Sequence, residues 1–252
     1  LIPVRPAQHY SMGGVRTNKD GAVYGLRGLF SAGEAACWDM HGFNRLGGNS
    51  LAETVVAGKI VGEKIAEFLK GYDVQFKTAS VKDVADRVQE RLERLISGKD
   101  GGESAFEVRN AMQDELMERV SIFRNGKDLE KAVENLQGIY ERSKRVGLRS
   151  NGIGASPELA LALKIQGMLR LAICVAYAAL KRTESRGCHA REDYEARNDR
   201  DWLNRTLATW KEGEDLPTLN YEPASGVLEI PPGDRGYGVS KIITRDGETT
   251  GA

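Results

Sequence analysis

The chain is 252 residues long, enough for one large domain or two to three small ones. Its 36 Lys plus Arg balance 36 Asp plus Glu, so no overall field favours nucleic acid or an anionic membrane surface, and ligand recognition falls to local charge. Three cysteines, Cys37, Cys174 and Cys188, form no CxxC pair and no metal-type spacing; they read as reduced thiols serving as small buried apolar residues.

The chain opens Leu1-Ile2-Pro3-Val4, with no initiator Met and no signal peptide, and reads as a strand already inside a fold, so a piece of a longer protein is expected. Residues 1–71 are rich in glycine and short apolar runs. Strands are expected at Ile2–Val4 and Gly28–Ala32, with Asn18-Lys19-Asp20-Gly21 a turn between shorter strands. Glu34 follows the second strand, where a carboxylate would accept hydrogen bonds from ribose or ribitol hydroxyls; a surface glutamate after a turn is the plainer reading. His9, ahead of Gly13 and Gly14, suits donation to a bound anion or a hydrogen-bonded structural role, and His41 suits packing.

The loop Met40 to Leu51 carries the most chemistry. Ser50-Leu51-Ala52-Glu53 has the spacing of a capping box, which puts a helix start at Ser50. Leu51, Val55, Ile60, Val61, Ile65, Ala66 and Leu69 then recur near the helical period. Gly47 and Gly48 let backbone approach a ligand, and the helix start offers unpaired N–H groups with partial positive charge. Arg45 adds a planar fork of donors suited to a carboxylate or a delocalised anion. The stretch reads as an anion site.

From about Tyr72 to Thr183 glycine thins and the 3.6 period dominates. Val84, Val88, Leu92, Leu95 and Ile96 mark one helix; Phe106, Met112, Leu116, Val120 and Phe123 a second; Leu129, Val133, Leu136 and Tyr140 a third. A fourth starts at Ser156-Pro157-Glu158 and buries Leu159, Leu163, Met168, Leu171, Val175 and Leu180. Its apolar run Leu171 to Leu180 is too short for a bilayer, so no membrane insertion is expected. Glu184 to Tyr194 is either a solvated loop or a docking network between domains built from Arg186, Arg191, Glu192 and Asp193. His189 lacks a third ligand nearby, so zinc is not expected. Trp202 to Trp210 and Thr218 to Tyr221 alternate around Gly213 and Pro217 and suggest an antiparallel pair. Pro231-Pro232-Gly233, Gly236 and Gly238 point to irregular structure or a terminal strand, with the last residues loose.

His9-Tyr10-Ser11-Met12-Gly13-Gly14, Leu29 to Ala36, His41 to Leu51, and Glu184 to Tyr194 followed by Asp201-Trp202-Leu203 and Thr206-Leu207-Ala208 together resemble the flavoprotein subunit of fumarate reductase and succinate dehydrogenase. Phe43 after His41-Gly42 looks closest to the quinol:fumarate reductases of anaerobic bacteria. The resemblance implies an α+β, helix-dominated chain. Residues 1–71 would be the closing part of the FAD-binding domain, a partial α/β segment; 72–190 a three- to four-helix bundle; 191–252 a small C-terminal β-containing domain. It implies FAD as cofactor, with Glu34 on its ribityl or ribose hydroxyls, Ser50 and Leu51 on the pyrimidine edge of the isoalloxazine, and Arg45 and Asn49 beside them. It places His9 and Arg45 on the dicarboxylate, fumarate or succinate, which exchanges hydride with the flavin. The implied partners are an iron–sulfur subunit and, through it, a membrane quinone-reactive anchor on the inner face of the cytoplasmic membrane.

The family's G-x-G-x-x-G phosphate loop, the histidine that often carries FAD covalently and the capping domain with its proton-donor arginine have no counterpart here. No catalytic residue is therefore expected in this chain, and alone it is expected to bind FAD weakly or not at all and not to turn over. Two other flavoenzymes share the Arg-Leu-Gly-x-Asn-Ser loop, L-aspartate oxidase and the adenylylsulfate reductase relatives. A non-catalytic structural module built on the helical bundle is the reading from another class.

Overall fold

The computed structural model describes residues 2–3, 9–72, 78–97, 102–149, 155–224, 242–243 and 249–250. The chain divides into two compact units, 1–75 and 76–252. Helices dominate and the strands are short, so the α+β, helix-dominated class holds.

In the first unit β1 (Val15–Arg16) and β2 (Ala36–Cys37) pair in parallel, Val15 opposite Ala36. The turn at Asn18 to Gly21 forms as expected: the Asn18 side-chain carbonyl accepts from the N–H groups of Asp20 and Ala22, both at 3.0 Å. Gly21 (φ +78°) is required there, since a Cβ would lie 2.3 Å from a Val61 methyl carbon. The strand expected over Gly28 to Ala32 reduces to a single bridge from Phe30 to Ala22, because Gly25 and Gly28 take left-handed conformations that curl the chain. Val4 lies outside the described residues, and Ile2 and Pro3 carry no strand.

The helix α1 (Asn49–Lys70) starts one residue before the expected position, behind Gly48 at φ +82°, and no side chain caps it. Its buried face is Glu53, Ala57 and Val61. Most of the expected apolar stripe points elsewhere: Leu51 is 75% and Val55 69% exposed, with Ile60 and Leu69 also exposed. Small Ala57, rather than the larger aliphatics, lets the helix approach the rest of the unit.

The second unit is built on α2 (Thr78–Ser97), α3 (Ala105–Arg119), α4 (Gly126–Ser143) and α5 (Pro157–Lys181). Capping fixes their starts. Phe106 N–H donates to Ser104 Oγ and Ser104 N–H to Glu107, both at 3.2 Å, which is a complete capping box. Asn125 caps α4, and Ser156 with Pro157 in the first turn caps α5 as expected. The core lies among α3, α4 and α5; Leu129, Leu136, Ile165, Leu169 and Ile173 are fully buried, each contributing about 1.5–3 kcal/mol.

The stripe expected on α4 is the buried one. That on α5 is displaced: Ala162, Ile165, Leu169, Ala172, Ile173, Ala176 and Ala179 are buried, whereas Leu171 and Val175 are exposed. Among the described residues of α2 only Leu95 is buried, with Val84, Val88 and Ile96 about half exposed; on α3 Val108 and Met112 are buried while Phe106 is not, and the helix ends at Arg119, short of Phe123, which lies in a strand. By length and composition all of α5 is apolar enough to cross a bilayer, which corrects the ten-residue estimate; here it is the central helix of the bundle.

Beyond α5, β3 (Phe123–Arg124) pairs in parallel with β4 (Ala190–Arg191). β5 (Arg197–Asn198) leads into the short helix α6 (Asp199–Trp202). The expected antiparallel pair is β6 (Asn204–Thr209) with β7 (Thr218–Pro223). β8 (Ile242–Ile243) lies between β5 and β9 (Thr249–Thr250), so the chain's end includes a strand; residues 231–238 lie outside the described residues.

The polar segment 184–194 is a buried ionic network within this unit. Glu184, fully buried, takes Arg182 at 2.7 Å, Arg186 at 2.8 and 3.0 Å, and the Asn198 N–H at 2.8 Å. Arg182 also donates to the carbonyls of Trp202 and Asn204, tying the end of α5 to β6. Arg191 caps α5 from outside, donating to the carbonyls of Ala179, Leu180 and Arg182. Its other face holds Asp193, which accepts from the Gly126 N–H at the start of α4. The Arg191 guanidinium first, then that N–H, holds the Asp193 carboxyl down at about 2. Glu192 is exposed and contributes its backbone N–H to the Arg124 carbonyl. Cys188 is exposed, against the expectation of a buried thiol, while Cys37 and Cys174 are half-buried.

Candidate functional site

The site residues of the first unit gather around one carboxylate, Glu53, at the fifth position of α1 and 3% exposed. The Tyr10 hydroxyl donates to Glu53 Oε2, His41 Nε2–H donates to the same oxygen at 2.8 Å, and Trp38 Nε1–H donates to Oε1 at 2.7 Å. Burial opposes charge on Glu53, but the bonds from Tyr10, His41 and Trp38 outweigh it and hold the carboxyl below its ordinary range. Burial, then the bond to Glu53, pushes the Tyr10 phenol up to about 12. The His41 ring meets the Tyr10 ring edge-on, centroids 5.3 Å apart. His41 therefore packs, as expected, and is also hydrogen-bonded.

Arg45 lies over the Tyr10 ring, guanidinium carbon to centroid 5.0 Å, with Nη1 donating to the Leu46 carbonyl at 3.0 Å. Its Nε is buried and, among the described residues, has no hydrogen-bond partner. Glu34 follows β-type backbone at Ala32 and sits in the turn Gly33–Ala35; its Oε1 accepts from the Ser11 N–H at 2.8 Å. Gly14 lets that segment close on the turn, since a Cβ there would meet the Ala35 carbonyl oxygen at 2.4 Å. His9, exposed, immediately precedes Tyr10. Asn49, Ser50 and Leu51 form the first turn of α1, where Ser50 uses its carbonyl to accept from the Thr54 hydroxyl.

The structure thus brings Arg45 and Glu34 to the Tyr10–Ser11 segment, with His9 next to it in sequence. Sequence reading missed the hub: Glu53 read as a capping carboxylate, and Tyr10 and Trp38 were not singled out. The signal was available in the apolar neighbours of Glu53 one and two turns on, Ala57 and Val61, which mark its face as the inner one.

Chemically the arrangement offers a fixed guanidinium, an uncapped helix start and a carboxylate acceptor. Added Cβ atoms at Gly47 and Gly48 would meet nothing within 4 Å, so the backbone there is uncrowded, although the Asn49 N–H at the helix start already donates to the Leu46 carbonyl at 3.3 Å. Donors of this kind match anionic oxygens, and Glu34 matches hydroxyls; these residues fit one edge of a flavin nucleotide and a carboxylate ligand. Among the described residues no cluster of three or more His, Cys, Asp or Glu is placed to hold a metal.

The fold and site define a flavoprotein segment followed by a helical module. Residues 1–51 match an FAD binding domain, and residues 109–237 match the fumarate reductase flavoprotein C-terminal family. The chain belongs to the flavoprotein-subunit family of fumarate reductase and succinate dehydrogenase, whose cofactor is FAD. It is 47% identical over 239 residues to a fumarate reductase flavoprotein subunit of Helicobacter pylori, covering 94% of this chain and 33% of that one. The corresponding subunit of Mycobacterium tuberculosis is 37% identical over 241 residues, covering 94% and 41%. A quinol fumarate reductase structure from Escherichia coli superposes with a TM-score of 0.81 at 34% identity, covering 92% of this chain and 39% of the other. An adenylylsulfate reductase from Archaeoglobus fulgidus, TM-score 0.58 at 21% identity over 77% of this chain and 31% of that one, shares the fold alone. The chain spans about a third to two fifths of the length of these fumarate reductase relatives.

Proposed function

We propose that this chain is the C-terminal part of a flavoprotein subunit that interconverts fumarate and succinate. The observation that carries the reading is Arg45: placed over the Tyr10 ring, with a buried Nε that has no partner among the described residues, beside the uncapped start of α1. On this reading residues 1–71 close the FAD domain, 72–190 form the helical domain and 191–252 the C-terminal domain. Bound FAD would supply hydride exchange with the four-carbon acid. Glu34 would accept from its ribityl or ribose hydroxyls, while Ser50 and Leu51, with Asn49 beside them, would present α1 N–H groups to the pyrimidine edge, where negative charge is stabilised. Arg45, reaching flavin and substrate alike, and His9 would clamp the carboxylates and polarise the double bond; such positioning is worth up to about 7–11 kcal/mol. Proton delivery is assigned to no residue of this chain, so the chain alone is inactive. An iron–sulfur subunit and, through it, a quinone-reactive anchor would hold the subunit at the inner face of the cytoplasmic membrane.

The test is Arg45→Gln in the FAD-loaded longer subunit. Losing a charged fork worth about 1.5–3 kcal/mol should lower kcat/KM for fumarate roughly tenfold to 150-fold. The circular-dichroism melt should stay in place. Wild-type fumarate reduction in the variant overturns the role of Arg45, and oxidation of L-aspartate in place of fumarate reduction with a reduced viologen would move the protein to the aspartate oxidases.

A further inference from the structure

Arg45 has little to aim it by itself. Its one described hydrogen bond is to the carbonyl of the next residue, and its Nε has none, so the surface that fixes its plane is the face of the Tyr10 ring. That ring is fixed in turn at its far end, where the hydroxyl reaches Glu53, and at its edge by His41. His41 and Trp38 belong to the same loop as Arg45 and end on the same carboxylate. One buried group on α1 therefore registers two separate segments: the one carrying His9 and the one carrying Arg45.

We propose that Glu53 is a positioning residue of the anion site, setting the orientation of Arg45 through the Tyr10 hydroxyl. A carboxylate suits the task because it only accepts, and all three of its partners arrive as donors. A glutamine must turn its NH2 either toward Trp38, whose indole N–H cannot accept, or toward Tyr10 and His41, both of which would then have to accept. The first turn of α1 thus does two jobs: its N–H groups face outward to the ligand, and one turn on, its carboxylate faces inward to hold the residues that meet that ligand. The inference rests on the proposed anion role of Arg45, but the geometry it describes belongs to the ligand-free chain.

The test uses Tyr10→Phe, Glu53→Gln and the double variant. In the 252-residue chain, the Arg45 Nε–H signal in 15N NMR relaxation reports side-chain order directly. Each single variant should make Arg45 mobile, and the double variant should be no more mobile than either single one, because both changes cut the same link. In the FAD-loaded longer subunit the same three proteins should raise KM for fumarate about tenfold and lower kcat as well, because the Arg45 they loosen both clamps the carboxylate and polarises the double bond. Unchanged Arg45 order in Tyr10→Phe, or additive losses in the double variant, overturns the proposal. If Glu53→Gln fails to fold, Tyr10→Phe carries the test alone, since it keeps the ring and removes only the link. Should Arg45 loosen as described while fumarate KM stays at the wild-type value, the positioning geometry stands and the assigned ligand falls.

Discussion

At the scale of single residues, buried polar groups decide how this chain responds to pH. His189 is 4% exposed; its Nδ1 accepts from Arg124 at 2.8 Å and its Nε2–H donates to the Arg182 carbonyl at 3.2 Å. Burial first, and then the facing guanidinium groups of Arg124, Arg182 and Arg191, push its pKa down to about 4 despite the carbonyl of Arg182. The folded chain thus refuses a proton that the unfolded chain takes at its ordinary value of 6.5. Stability from this residue is complete above that value and is lost as pH falls toward 4, a change of about 3 kcal/mol. Urea unfolding followed by circular dichroism at pH 7, 5.5 and 4.5 should show that slope. His189→Gln, which can accept from Arg124 and donate to the carbonyl without titrating, should flatten it; an equal slope in both proteins would show that the acid sensitivity lies elsewhere.

At the scale of elements, identical local patterns do different work. Ser50-x-x-Glu53 and Ser104-x-x-Glu107 both have capping-box spacing, yet only the second closes on its own helix. Glu107 lies on the exposed side of α3 and can fold back to the Ser104 N–H, whereas Glu53 is drawn inward by three donors, Tyr10 from a distant segment and Trp38 and His41 from the loop before α1. Ser104→Ala should accordingly cost about 1 kcal/mol of stability, and Ser50→Ala under about 0.5. Thermal melts of the two variants measure the difference, and equal losses would make Ser50 a cap after all. Helix phases follow the same logic. On α4 charged residues occupy the outer side, so the buried stripe Leu129, Val133 and Leu136 was legible. On α5 nearly every position is apolar, and the contact face was selected by alanines at 162, 172, 176 and 179, which let α3 and α4 approach. Periodicity alone carries no phase in such a helix. The helix start behind Gly48 was legible because its backbone chemistry is local, whereas the Glu53 hub was not, because it needs Tyr10 from 43 residues away and the folding back of Trp38 and His41.

At the scale of the whole molecule, the first unit leaves large apolar side chains of one helix uncovered. Leu51, Val55, Val56, Ile60 and Leu69 of α1 are exposed, alongside the open helix start. The chain holds no G-x-G-x-x-G sequence, the element that cradles a dinucleotide's diphosphate. On the proposed reading, the groups left to meet FAD are Glu34, Arg45 and the α1 N–H groups. Three charge-assisted bonds contribute about 4.5–9 kcal/mol, against about 4–15 kcal/mol for the freedom lost on association. At its most favourable the balance is about 5 kcal/mol, which puts the dissociation constant of the 252-residue chain for FAD at about 200 μM or weaker. Titration followed by flavin fluorescence, then desalting, should leave no stoichiometric flavin on the chain. A yellow protein with one FAD per chain would mean that this unit supplies a diphosphate site of its own, and the division of the flavin between this chain and the rest of a longer subunit would have to be redrawn.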